Sequence, residues 1–69
     1  MTDSLGEALP REMARVRDEV MPAYQEIGRS GLPALMMMRA DLDAAAKALT
    51  EGDVVEMIRV YKSLKGYSL

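Results

Sequence analysis

The carboxylates are the side chains here that could do acid–base or metal chemistry, and their spacing limits what they can do. Asp41 and Asp43 stand two positions apart in a helical context, so they project about 200° away from each other and cannot work as a pair. Asp43 and Lys47, four positions apart, make a surface ion pair instead. Glu51 and Asp53 flank Gly52, where one helix must stop and another start, and so read as capping residues. A calcium loop would need about twelve residues of oxygen ligands. The chain holds neither cysteine nor histidine, which removes disulfides and the thiolate and imidazole ligands of zinc. There is also no P-loop and no glycine-rich phosphate cradle, so the expectation is a non-enzymatic protein without cofactor or metal.

What remains is the chemistry of contact, and it centres on Met36-Met37-Met38. Three consecutive helical residues spread over about 200° of the surface, so one buried face cannot take them all. Met38 falls with Leu35, Leu42, Ala45, Ala46 and Leu49 on a core stripe. Met37 points nearly the other way, and Ala44 and Ala48 continue its line with Asp41 at the edge. Small residues let another helix approach closely, methionine adapts to an irregular partner, and a helix apolar on two sides is usually buried on two sides. Met37, Asp41, Ala44 and Ala48 are therefore expected at a homodimer interface; the alternative is a monomer in which the neighbouring helices flank this one on both sides.

Met36 lies toward a more polar edge, near Ala40, Asp43 and Lys47. With Arg39 on the other border it makes a candidate partner-binding patch, since Met and Arg are enriched in interface cores. Asp41, Asp43, Glu51, Asp53 and Glu56 could oppose a basic partner and speed encounter more than they add affinity. The plainer reading makes them caps and solvated surface. Tyr61 belongs to a core stripe. Tyr67, beyond the last helix, either touches a partner or folds back over the hairpin.

Three helices must position these residues in one all-α domain, 1–69. The first runs about 4–28. Ser4-Leu5-Gly6-Glu7 fits a capping box, Pro10 offers a second start, and Leu5, Leu9, Met13, Val16, Val20, Tyr24 and Ile27 form one stripe. Arg11, Arg15, Asp18, Glu19 and Glu26 fall on the other side. Pro22 lies opposite the stripe, which predicts a bend rather than a break. Gly28-Arg29-Ser30-Gly31 is the connector, with Gly28 ending one helix and Ser30 capping the next. The second helix spans about 31–50 and closes at Gly52. Asp53 and Glu56 box the start of the third, about 53–65, with Val54, Met57, Ile58, Tyr61 and Leu64 on its stripe. The short loop between the last two predicts an αα-hairpin. A chain of 69 residues without covalent staples sits near the lower limit of a self-sufficient core, which also favours self-association.

Charge and length narrow the partners. The net charge is −2, and Arg11, Arg15, Arg17 and Arg29 are interleaved with Glu12, Asp18, Glu19 and Glu26, which argues against nucleic acid. The longest apolar run, GLPALMMM, is far short of the ~20 residues of a membrane span, and the acidic N-terminus carries no secretory signal. A cytoplasmic protein is expected.

The segments PREMARVRDEVMPAYQEIG and ALTEGDVVEMIRVYKSLKGYSL resemble short all-helical accessory proteins of Mu-like transposable phages, a group that includes anti-activators of host regulators. The resemblance covers most of the chain but contains no chemically diagnostic motif, so it assigns no binding residue. It implies a small dimeric protein in the host bacterial cytoplasm that binds and disables a host protein. Examples of such targets are a LuxR-type quorum-sensing activator and the ATPase that drives type IV pili. A small nucleic-acid-binding regulator using the helix-one arginines, and a structural or assembly subunit, are the other two expectations.

Overall fold

Local capping signals account for most of the element boundaries. A computed structural model describes residues 4–69, which form α1 (Leu5–Arg15), a π-helical turn (Val16–Val20), α2 (Met21–Ile27), a 3₁₀ turn (Gly28–Gly31), α3 (Leu32–Glu51) and α4 (Val54–Lys65). The expected three helices thus become two helical runs, 5–51 and 54–65, because the Gly28–Gly31 connector is a 3₁₀ turn. The start at Ser4 is the correct one, and Pro10 lies inside α1. Ser4 caps through its backbone, its carbonyl accepting from the N–H groups of Glu7 (3.0 Å) and Ala8 (2.8 Å). Its hydroxyl donates to the Glu7 carboxylate at 3.3 Å, so the box closes between side chains rather than onto the backbone.

Pro22 explains the π turn just before it. Without an N–H it cannot satisfy the Asp18 carbonyl, and the helix widens by one residue: the Met21 N–H bonds to the Val16 carbonyl, five residues back. The helix continues through the proline, as its exposed position opposite the apolar stripe suggested.

Gly28 takes φ 82°, a conformation open to glycine at little cost. The N-cap of α3 is Gly31 and not Ser30, which stays exposed. Gly31 is buried, and a Cβ there would lie 2.3 Å from the Tyr24 carbonyl oxygen, so α3 departs from α2 with the backbones touching. At the other end of α3, Gly52 is left-handed (φ 67°). The Gly52 N–H bonds to Leu49 O at 3.3 Å and the Asp53 N–H to Ala48 O at 3.0 Å, a Schellman closure. Asp53 then caps α4, its carboxylate accepting the Glu56 N–H at 3.1 Å. Glu56 turns to Arg59 instead of reaching back, so only half of that box forms.

The core is built from Leu9, Val16 and Val20 of the first run, Met38, Ala45 and Ala48 of α3, and Met57, Val60 and Leu64 of α4. α4 folds back on α3 as a hairpin and also packs on α1. Three expectations are corrected. Ile27 is exposed at the end of α2, and Ala46 is exposed on α3. On α4, Val60 enters the core while Val54 and Ile58 face out. The apolar positions of α4 cover more of its circumference than one stripe, and a tertiary hydrogen bond from Ser63 to Asp41 turns the helix to the Val60 side.

Candidate interaction surface

The predicted site residues separate into an internal cluster and two open grooves. The internal cluster holds the C-terminal tail. Asp41 presents one carboxylate oxygen to two hydroxyl donors, Ser63 at 2.5 Å and Tyr67 at 2.7 Å. Arg15 donates from one guanidinium nitrogen to the carbonyls of Leu64 (3.0 Å) and Tyr67 (2.9 Å), while its Nε bonds to Glu12 at 3.2 Å. A cation on the last carbonyls of α4 satisfies acceptors that the helix leaves open and complements its dipole. Tyr24 adds a hydrogen bond to the Ser68 carbonyl at 3.2 Å.

These contacts revise several sequence assignments. For Tyr67 they select the second of its two expected courses, folding back over the hairpin with its hydroxyl on Asp41. Arg15, placed on the solvent side by the helical wheel, is the residue that ties α1 to the end of α4. Its acceptors are 49 and 52 residues away, and nothing local announces them. Of the four residues assigned to a subunit interface, Ala48 is buried by the chain's own α4, Asp41 is held by Ser63 and Tyr67, and Ala44 packs against the core. Met37 alone of the four stays open.

Two predictions arise at this cluster. Asp41→Ala leaves the Ser63 and Tyr67 hydroxyls without their acceptor and should cost about 1–3 kcal/mol in thermal or urea unfolding. The second concerns pH. Desolvation, then the hydrogen bond to Asp41 and its charge, raise the Tyr67 hydroxyl above its usual value of 10.0. A raised folded-state pKa means that the hydroxyl's contribution is complete below the unfolded value and is lost as pH rises through the folded one. Stability should therefore fall in the alkaline range above about 10, and Tyr67→Phe should flatten that fall. Melting curves of both proteins across that range are the check.

The first groove lies between α2 and α3. Met36, Arg39 and Asp43, expected to share an edge, are brought together there with Met21, Gln25, Leu35 and Ala40 around about 440 Å³. Its lining combines aliphatic side chains with one cation, Arg39, one carboxylate, Asp43, and one amide, Gln25. Met36 is 72% exposed and Met37, one step round the helix, 61%, while Met38 between α3 and the core is fully buried. The α2 contribution was invisible in the sequence because it depends on how α2 docks.

The second groove, about 330 Å³, gathers Ala44, Lys47, Ala48, Glu51, Asp53 and Glu56. Two of its acids have structural work. Asp53 caps α4, and the hydrogen bond from the Arg59 guanidinium holds the Glu56 carboxyl below its ordinary range. Among the described residues no group of three or more acidic side chains is arranged to hold a metal ion, and no helix is long and apolar enough to cross a membrane. In the π turn, Arg17 is paired with Asp18, which lowers the Asp18 carboxyl.

No protein-family model, curated protein or solved structure matches the chain.

Proposed function

We propose that this protein is a non-enzymatic binding module that works by stoichiometric occlusion of another protein through the α2/α3 groove. The carrying observation is the placement of Met36, a large flexible apolar side chain held 72% exposed in the groove lining, while Met38 on the same helix is fully buried. Arg39 and Asp43 in that lining supply orientation, and its aliphatic side chains supply burial. The sequence resemblance adds the biological setting: a phage-encoded inhibitor acting in a host bacterial cytoplasm on a regulator such as a LuxR-type activator, or on the type IV pilus ATPase. A tagged copy expressed in a proteobacterial host should co-purify with one host protein at near-equal stoichiometry. Repeated recovery of no such partner overturns the proposal.

Self-association is its second part. Met37 is 61% exposed on α3 outside the groove lining, where a second copy would cover it. Met37→Asp should then sediment as a monomer at concentrations where the wild type is a dimer, and Met36→Asp should leave the dimer intact. A dimer indifferent to Met37→Asp removes this part. Ala48→Glu would not serve, since Ala48 is buried within the fold and its substitution tests folding. A nucleic-acid role through the helix-one arginines is the weaker reading, because Arg15 is tied to the tail and Arg17 to Asp18.

A further inference from the structure

The outer face of α4 carries a polarised strip that neither groove includes. Met57, Val60 and Leu64 face the core, and the opposite side is left open. Val54 and Val55 are 58% and 79% exposed, and Ile58 is 43% exposed. Helical spacing aligns Val54, Ile58, Lys62 and Lys65 in one row at i, i+4, i+8 and i+11. The row is aliphatic over its first two turns and cationic over its last two. Lys62 and Lys65 are both exposed, and the Lys65 ammonium sits 5.5 Å from the centre of the Tyr61 ring, which fixes positive charge at that end. The neighbouring carboxylates are engaged elsewhere, Asp53 as the N-cap and Glu56 with Arg59.

We propose that this strip docks an acidic amphipathic helix of a partner protein, lying antiparallel to α4. Acidic residues are favoured in the first turn of a helix. In the antiparallel arrangement that turn meets Lys62 and Lys65, the helix dipoles oppose, and the aliphatic residues one and two turns on reach Ile58 and Val54. The separation from Lys62 back to Val54 is about 12 Å along the axis, matching those two turns. A lipid surface is the poorer fit: α4 has only 12 residues, its exposed apolar side chains are β-branched, and the chain contains neither Phe nor Trp. A second copy is also poorer, because α1 opens with a single acid, Glu7, α2 and α3 open with none, and the acids at the start of α4 are already engaged, Asp53 as its N-cap and Glu56 with Arg59.

This inference rests on the protein-binding reading but uses a different face, so the two fail separately. The probe is a short fluorescent helical peptide with glutamates in its first turn and leucines along one face; a control peptide replaces the glutamates by lysines. The glutamate peptide should bind by anisotropy. Lys62→Glu with Lys65→Glu, and separately Ile58→Ser, should each weaken it on the order of tenfold while leaving the melting temperature near that of the wild type. Met36→Asp should leave peptide binding unchanged. Failure of the glutamate peptide to bind, equal binding of the lysine peptide, or indifference to the double charge reversal overturns the strip. So does finding that the same substitutions instead abolish binding to phosphatidylserine vesicles or self-association. Capture of a host protein that depends on Met36 would survive any of these outcomes.

Discussion

Met38→Ala is expected to lower the melting temperature by roughly 10–20 °C, whereas Met36→Ala and Met37→Ala should shift stability by about 0.5 kcal/mol or less. The three residues are chemically identical and adjacent, so the contrast isolates position. Met38 has no exposed surface and belongs to the cluster formed with Leu9, Val16, Val20, Val60 and Leu64. Truncation there removes both the transfer free energy of the lost atoms and their packing, about 2–5 kcal/mol for a buried methionine. So small a core has little redundancy, and that loss is a large share of its total stability. Met36 and Met37 lose mainly contact with water. Differential scanning calorimetry of the three variants is the check, and comparable destabilisation by all three would contradict the assignment of Met38 alone to the core.

Gly31→Ala should be nearly as damaging, at about 3 kcal/mol, although it adds a single methyl group. The added Cβ would stand 2.3 Å from the Tyr24 carbonyl oxygen and 3.2 Å from its carbon. Both are backbone atoms in the middle of α2, so no side chain can swing aside to make room. Relief requires α3 to move away from α2, which opens the groove lined by Met21, Gln25 and Met36 as well as the packing beneath it. The same change at Gly6 meets nothing closer than the Ser4 hydroxyl at 3.9 Å and should stabilise the protein by about 0.5 kcal/mol. Urea unfolding of the two variants should give shifts of opposite sign.

Which features were legible in the sequence follows from how local their causes are. The Asp53 cap, the Gly52 stop, the accommodation of Pro22 and the burial of Met38 depend on a few neighbouring residues and the helical period. The rotation of α4 does not. Its sequence supports either an Ile58 or a Val60 stripe, and the choice is made by Asp41 and Arg15, which come from other helices. The merging of the connector into helix has a similar origin, since the close approach of Gly31 to Tyr24 is a tertiary contact. For the surface, the grouping of Met36 with Arg39 and Asp43 follows from spacing on one helix. The second wall of their groove, and the withdrawal of Asp41, Ala48 and Tyr67 into the fold, follow from packing.

The central claim is that the protein acts by contact through the Met36 edge of α3. The most direct measurement is side-by-side capture of the stoichiometric host partner by the tagged wild type and by a Met36→Asp/Arg39→Glu variant, both verified as equally helical and equally stable. Capture by the wild type and its loss in the variant is the predicted result. Equal capture by both proteins would place the binding surface elsewhere and contradict the claim.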